Sequence, residues 1–452
     1  MSGPEAADRA TAEALLDAAL AAGAHAADVL VAASTALEVG VAERALEDAE
    51  RSESVDIGLR VLIGQRQACV SASERSADVL AETAARAVAV AREAPDDPHC
   101  GLAEPDALAR DAEAAERALD LADAAASPDP AALEALAREA EDAALAIEGV
   151  GQVEQARASW STDRVTLAAS NGLRHQTART TWAISASAIA GEGLGRERDY
   201  AVEIRRHRSD LPAASVIGQR AGERAVAALG ARRPPTGPVP VLYDERVAAS
   251  LIGHLLSAIN GQSVARGSSW AADLMDQAVL PAGIDVFDDP TIARGRASRA
   301  IDAEGLAARR RPLVEQGRLV SWVLDLATGR QLGLGTTGNA RRGTGGPPRP
   351  GTSNIRMTLG DRDRAGLIRE MGRGLLVTGL IGSSINPTTG AYSRGANGFW
   401  VEGGEITHPV NEITIAGNLQ QMLTTVTAGN DADLSKGMAV PSLLVEGLTV
   451  GA

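Results

Sequence analysis

Apolar and polar positions change period several times along the first part of the chain. Residues 8–23 place Ala and Leu at the spacing of an amphipathic helix, and Gly23 ends the pattern. Short β-branched runs follow between residues 27 and 73, where a Gly-containing turn separates two predicted strands. Residues 76–93 return to the helical period, and Ser76 is the predicted N-cap. This part therefore predicts a helix, several strands and a second helix.

The same order of elements is predicted again further along. An Ala-rich amphipathic helix is expected to start at Ser127, which two prolines follow closely. Residues 153–206 alternate as strands do, and the Asn171–Gly172 dipeptide between two alternating runs is a strong signal for a tight hairpin. A helix over residues 214–229 then closes the first half.

A Pro- and Gly-rich segment divides the chain. Residues 231–240 are predicted to link an N-terminal domain, residues 1–230, to a C-terminal domain, residues 241–452. The second half opens with a predicted strand and a helix over residues 245–259, and its last hundred residues alternate short strands with tight turns. Because helices and strands are not regularly alternated, we expect an α+β fold of two domains, each with a mainly antiparallel sheet and packed helices.

Composition narrows the possible functions. The net charge of -15 and the pI near 5.0 argue against a nucleic-acid-binding protein, which would need clustered cations. Cys69 and Cys100 are too few for a disulfide framework. The N-terminus lacks the pattern of a signal peptide, and no window has the roughly 20 apolar residues of a membrane helix. A cytoplasmic protein without membrane contact is expected.

Short catalytic motifs are weak or missing. The GLGTTG segment, residues 333–338, resembles a dinucleotide fingerprint, but the Gly- and Pro-rich run after it cannot start the required helix. No two of the histidines lie within one or two helical turns of each other, which excludes a helical zinc pair. His254 lies on an otherwise apolar helix, where a hydrogen-bonded structural histidine is the simplest interpretation.

Arginine is concentrated around glycine in the second half, for example at Arg341 and Arg342. One explanation is a solvated basic rim on an acidic protein. The other is a groove that docks an extended peptide through its backbone, with Arg placed near acidic side chains or a C-terminal carboxylate.

Several long segments, in one order, carry a family resemblance. Residues 371–423, MGRGLLVTGLIGSSINPTTGAYSRGANGFWVEGGEITHPVNEITIAGNLQQML, resemble the C-terminal region of the TldD/PmbA family, the proteins once called modulators of DNA gyrase. GLRVLIGQRQACVSASERS, VAASLIGHLLSAINGQSVARGSSW and SLLVEGLTVGA agree with it elsewhere in the chain. The likeness is closer to the PmbA (TldE) branch, which lacks the zinc-binding motif.

The resemblance implies a function. In this family a TldD-like subunit carries a His-Glu-x-x-x-His zinc helix, whereas residues 250–258 of this chain read SLIGHLLSA at the corresponding helix. The expected role is a non-catalytic subunit of a heterodimeric zinc metallopeptidase that degrades unfolded peptides or trims leader peptides from modified precursors. No cofactor is then expected in this chain, zinc is expected in the partner, and activity is expected only with the partner.

The resemblance leaves the contact residues open. Residues 392–404 are predicted to form a hairpin and loop, with Phe399 and Trp400 on opposite faces, although an aromatic that only fills the core explains the pattern equally well. The candidate peptide- or partner-facing residues are His254, Arg341, Arg342, Arg394, Asn397 and Trp400. Two alternatives remain: a stand-alone regulatory or binding protein, such as a topoisomerase or toxin-antitoxin modulator, and an independent hydrolase that uses His254.

Overall fold

Long antiparallel strands build the sheet of the first half. The computed structural model describes residues 3–125 and 127–451. The first sheet has the strand order β3-β2-β1-β4-β5-β6, and every neighbouring pair is antiparallel. Its strands are β1 (Ala26–Ala42), β2 (Ala45–Ile63), β3 (Arg66–Ala72), β4 (Val150–Ala169), β5 (Arg174–Ala190) and β6 (Glu197–Arg205).

Helices cover one face of this sheet, because alternate strand positions are apolar. Val29 and Ile57 point to the same face and pack against Leu15 and Leu80 of two helices, whereas the Ala-rich distal part of the sheet packs against two others. The helices of the first half are α1 (Pro4–Ala21), α2 (Ala77–Glu93), α3 (Ala112–Leu119), α4 (Pro130–Leu145) and α5 (Ala214–Ala227).

The structure confirms the Asn171–Gly172 hairpin and corrects two local predictions. The first predicted strands merge into one long β1, which turns into β2 at Glu43 and Arg44 with φ angles of 52° and 58°. Helix α4 stabilises this turn, since Glu141 accepts a hydrogen bond from the Arg44 N–H at 2.9 Å. The residues of the turn itself do not predict that contact. The other correction concerns the start of α4.

One of the two predicted helix caps is corrected, and the other is confirmed in its position. Asp129, and not Ser127, caps α4 and accepts from the Ala132 N–H at 2.7 Å. Ser76 occupies the N-cap position of α2 as predicted, although its side chain makes no capping hydrogen bond.

The second half is built on a mixed sheet that closes on itself. Its strand order is β16-β15-β14-β7-β19-β17, and an additional β16–β19 pairing joins the ends of a five-strand ring. Only the β14–β7 pair is parallel among the pairings described for this sheet. The strands are β7 (Gly237–Tyr243), β14 (Gly374–Ile385), β15 (Ala391–Glu402), β16 (Glu405–Asn418), β17 (Thr427–Ala428) and β19 (Leu443–Gly451).

Smaller elements pack beside this ring. A second sheet has the order β10-β9-β8-β13-β18, and β11 pairs with β12. These strands are β8 (Val286–Asp288), β9 (Arg311–Glu315), β10 (Arg318–Leu319), β11 (Ala340–Arg341), β12 (Arg349–Pro350), β13 (Ile355–Met357) and β18 (Met438–Ala439). The helices are α6 (Glu245–Ala258), α7 (Gly261–Ala265), α8 (Leu326–Gln331), α9 (Arg364–Met371) and α10 (Leu419–Thr424). The α+β class with mainly antiparallel sheets is therefore confirmed.

The predicted domain division stays a prediction, with two structural details to add. Strand β7 begins at Gly237, inside the segment predicted as a linker, and it pairs with β14 and β19. None of the helices in the described part of the chain is long and apolar enough to cross a membrane.

Part of the first sheet's other face packs against the second half. Asp28 and Arg60 are paired across β1 and β2 on that face, and Arg342 from the β11–β12 loop reaches the same carboxylate. All three side chains are at least 92% buried, with exposed fractions of 8%, 5% and 1%. This buried Arg60–Asp28–Arg342 triad joins residues far apart in sequence.

A glycine on β2 allows the β11–β12 loop to come this close. A Cβ atom at Gly58 would lie 2.5 Å from the Thr344 carbonyl oxygen and 2.6 Å from its Cα, and backbone atoms cannot move aside cheaply. We expect Gly58→Ala to lower the free energy of unfolding by about 1–3 kcal/mol through overpacking. Urea-induced unfolding measures the change. Gly253→Ala is the matched control, since its Cβ would meet nothing within 4 Å and it should be neutral or slightly stabilising; equal losses in both variants would contradict this account.

Candidate functional site

Helix α6 positions the first group of candidate residues. Its buried face repeats at Ala248, Leu251, Ile252 and Leu255, which fixes the helix against the core of the second half. Asp244 caps the helix by accepting from the Arg246 N–H at 3.1 Å. The remaining surface of α6 therefore points toward a cleft.

This cleft, which we call the α6 cleft, has a volume of about 380 Å³. It brings together three parts of the chain: the edge strand β6, the outer side of α6, and the β14–β15 hairpin. Its lining residues are Arg198, Asp199, Tyr200, Arg246, Val247, Ser250, Thr378, Gly379, Leu380, Arg394 and Asn397.

A charged contact joins the two halves of the protein at the α6 cleft. The Arg246 guanidinium donates to both Asp199 carboxylate oxygens, at 2.5 and 3.1 Å, and it lies 5.6 Å from the centre of the Tyr200 ring. Burial lowers the pKa of Arg246, but the hydrogen bonds that it donates to Asp199 outweigh this effect, and the net pKa is raised. Arg246 therefore stays charged and fixes one wall of the cleft.

Local irregularity on β15 places Arg394 and Asn397 on the same cleft. The strand register shifts between Ala396 and Gly398, so positions that normal alternation would put on opposite faces both line the cleft. Gly379 is paired with Asn397, and a Cβ at Gly379 would overlap the Asn397 amide oxygen. The Arg394 Nε donates to the Gly382 carbonyl at 2.8 Å, which orients the guanidinium.

His254 lies one helical turn beyond Ser250 of the cleft. Its ring packs edge-on against Tyr392, with centroids 5.8 Å apart and an interplanar angle of 75°. Burial lowers the pKa of His254, and the positive charge of Arg394 lowers it further. Within the described residues, the buried Nε2 atom of His254 has no hydrogen-bond partner. This histidine is a neutral imidazole at neutral pH.

The donors on α6 do not fit a zinc ion. A helical zinc site needs a second imidazole or a carboxylate one turn away, whereas Ser250 and Ala258 occupy those positions around His254. In residues 3–125 and 127–451, no group of three or more His, Cys, Asp or Glu side chains is close enough to hold a metal.

The other predicted site residues lie elsewhere. Trp400 is 2% exposed and fills the core of the second half, while Phe399 packs on the other side of the sheet, so their predicted alternation is confirmed. Arg342 is held by Asp28 inside the chain, and the Arg341 Nε donates to the Thr352 carbonyl at 2.7 Å. In this chain alone, neither Trp400 nor Arg342 is therefore accessible to a peptide.

Sequence reasoning missed the β6 side of the cleft. Tyr200 is 55% exposed, in a chain whose aromatic content is only 2%. The rarity of aromatic residues could have drawn attention to Tyr200. The pairing of Asp199 with Arg246 could not be predicted, because the two residues are 47 positions apart in the sequence.

Comparisons with known proteins identify the family. Residues 27–91, 104–229 and 236–452 match the descriptions PmbA/TldA metallopeptidase domain 1, central domain and C-terminal domain. The chain is 35% identical over 422 residues to the Metalloprotease PmbA of Escherichia coli O157:H7, covering 93% of this chain and 90% of that protein.

Two solved structures share the fold over nearly the whole length. A candidate modulator of DNA gyrase from Bacteroides thetaiotaomicron superposes with a TM-score of 0.89 at 26% identity, covering 100% of both chains. TldE from Thermococcus kodakarensis has a TM-score of 0.83 at 20% identity, covering 98% of this chain and 100% of that one. The chain belongs to the PmbA/TldD metallopeptidase family.

Proposed function

We propose that this chain is a non-catalytic cytoplasmic subunit of a zinc metallopeptidase, which acts only when paired with a zinc-bearing TldD-like subunit. The substrates are unfolded peptides or the leader segments of modified peptide precursors. The observation that carries the proposal is the set of donors on α6, where His254 has neither a second ligand nor a carboxylate beside it. The ligands and the general base must then come from a partner.

The contribution of this chain is peptide binding. Strand β14 pairs with β7 only over residues 375–377, and the described residues provide no strand partner for that edge beyond residue 377. The free edge lies beside the α6 cleft, where Thr378, Gly379 and Leu380 form part of the lining. An extended peptide can add to such an edge through backbone hydrogen bonds, which do not depend on the side chains of the peptide.

Side chains around this edge supply further contacts. Asn397 offers an amide donor and acceptor, Arg394 offers guanidinium donors, and Tyr200 offers an exposed ring. Ile381 on the same strand is 67% exposed and gives the partner or the peptide an apolar contact. These groups bind and orient a chain; they do not activate water.

Reconstitution tests the proposal. This chain, a TldD-like subunit and their mixture are each assayed for bound zinc and for cleavage of an unstructured peptide. We expect zinc in the samples that contain the TldD-like subunit and cleavage only in the mixture. Cleavage or stoichiometric zinc in this chain alone would refute the proposal, and a stable mixture that cleaves nothing would favour a stand-alone binding role.

The variant His254→Ala, assayed in the mixture, tests the remaining alternative, a hydrolase that uses His254 as its general base. Removing a neutral imidazole without hydrogen-bond partners should leave kcat/KM within about twofold of the wild type. A histidine that acts as the general base would instead lose on the order of 10²-fold or more. Unchanged zinc content and unchanged thermal unfolding serve as controls that the variant is folded.

A further inference from the structure

A second cavity lies between the first sheet and the second half. Its volume of about 410 Å³ is in the range of small-molecule binding pockets. Strands β1, β2, β4 and β5 form one wall, and residues 297–303 and 340–342 form the other. We call it the arginine cavity, because its lining includes Arg164, Arg179, Arg299, Arg341 and Arg342.

Carboxylates neutralise two of these arginines. Arg164 pairs with Asp8 at 3.1 Å, and Arg342 pairs with Asp28. For Arg179, Arg299 and Arg341, by contrast, the described part of the chain holds no carboxylate oxygen within 4.0 Å of the guanidinium. The cavity therefore contains three cations without a direct counter-charge.

Their hydrogen bonds go only to carbonyl groups. Arg299 donates to the Ala340 and Gly351 carbonyls at 3.3 and 3.1 Å, and Arg341 donates to a single carbonyl. The buried Nε atoms of Arg179 and Arg299 have no acceptor among the described residues. Since a guanidinium carries five N–H donors, several donors of this cluster have no acceptor among the described protein groups.

Neighbouring carboxylates offset the charge of these arginines only in part. Burial lowers the pKa of Arg299, and the negative charges of Asp288 and Asp302 oppose that shift without reversing it. Asp302 accepts backbone N–H groups of Glu304 and Leu306 at 2.9 and 3.0 Å, and that of Ala340 at 3.1 Å. Asp163 accepts from the Ser34 hydroxyl at 2.8 Å.

Two more carboxylates lie nearby. Glu116 accepts from the Thr177 hydroxyl, and Asp56 is exposed. Burial and the charge of Arg299, with a smaller contribution from Arg179, lower the pKa of Arg341 to about 10, although Asp288 opposes this shift. The three guanidinium groups therefore repel one another and would be stabilised by an anion.

We propose that the arginine cavity binds the carboxylate group of a peptide, held by Arg179, Arg299 and Arg341. The planar guanidinium matches a carboxylate in bidentate geometry. Apolar side chains of Leu30 and Ile301 also line the cavity, which suits a carboxylate that carries an aliphatic residue better than a bare inorganic anion. The inference rests on the proposed function, because it supplies an anchor for the peptides that this chain handles.

Binding to this chain alone tests the inference without partner, zinc or cleavage. Fluorescence anisotropy compares three N-terminally labelled unstructured peptides: a free acid without Asp or Glu, its C-terminal amide, and that amide with one internal Glu. We expect the acid to bind about 10- to 100-fold more tightly than the plain amide. Recovery of affinity in the Glu-containing amide would show that a side-chain carboxylate also fits, whereas no recovery would assign the site to the C-terminus.

The variant Arg179→Gln/Arg341→Gln should abolish the preference for the acid. Arg92→Gln/Arg233→Gln removes the same charge from two exposed positions and should keep the preference. The cavity variant should retain or raise the melting temperature, because it relieves repulsion between unpaired cations.

Equal binding of acid and amide by the wild type would overturn the proposal, as would an unchanged preference in the cavity variant or binding of inorganic phosphate alone. A negative result here leaves the reconstitution experiment unaffected.

Discussion

Replacing Asp28 with asparagine is expected to lower the free energy of unfolding by about 3–5 kcal/mol. The change keeps the shape of the side chain but removes the carboxylate that Arg60 and Arg342 share. Both guanidinium groups are at most 5% exposed, so they would remain charged and buried without their counter-ion. Urea-induced unfolding, followed by circular dichroism, measures the loss.

Two further variants show whether uncompensated charge is the cause. Glu53→Gln removes the same charge from an ion pair with Arg51 in which both side chains are 63% exposed, and it should change the free energy of unfolding by no more than about 1 kcal/mol. The triple change Asp28→Leu/Arg60→Met/Arg342→Met replaces the triad with apolar side chains and should recover most of the lost stability. A triple variant as unstable as Asp28→Asn would show instead that the triad contributes through specific geometry.

The second large effect concerns pH. Burial, reinforced by the negative charge of Asp302, raises the pKa of Glu304 to about 8. The folded protein therefore keeps this proton up to about pH 8, while the unfolded chain releases it near the reference value of 4.5. Between these values the folded state binds more protons, so stability falls as pH rises. The stability that protonated Glu304 contributes is fully present below pH 4.5 and is lost as the pH rises through about 8.

Glu304→Gln should remove this dependence. The amide mimics the protonated carboxyl and cannot ionise, so the stability difference between variant and wild type should grow in the variant's favour from pH 5 to pH 8. The steepest slope is about 1.4 kcal/mol per pH unit. Denaturant unfolding at five pH values gives the curve. The pKa of Asp302 is also raised by burial, and both proteins retain Asp302. A difference that stays constant over this range would contradict the assignment.

Sequence patterns were most successful where structure depends on neighbouring residues. Asn171 and Gly172 form the predicted turn through their own properties: Gly172 has a φ of 98°, and the Asn171 side chain accepts from the Leu173 N–H at 3.1 Å. The turn at Glu43 and Arg44 was missed because Glu141 and Arg138 of α4, almost a hundred residues away, supply its hydrogen bonds.

The candidate site also combines residues that a local pattern indicates with residues that only tertiary contacts bring together. Arg394 and Asn397 belong to one short segment that the sequence singles out, and a strand irregularity places both on the α6 cleft. Trp400 belongs to the same segment but lies in the core, and the sequence alone does not distinguish an exposed aromatic side chain from a buried one. Tyr200 and Arg246 were missed, since only the folded chain brings β6 to α6.

The sequence by itself determined the family, the α+β class and the single histidine on α6, because these depend on residue identity and on local periodicity. Tertiary structure alone decided which charges are buried and what they contact. Nothing in the sequence distinguishes Asp28, Arg60 and Arg342 from other charged residues. Their desolvation penalty and their mutual attraction become large only when packing removes water from all three side chains. The unpaired arginines of the arginine cavity follow the same rule, since a missing counter-ion is a property of three-dimensional proximity.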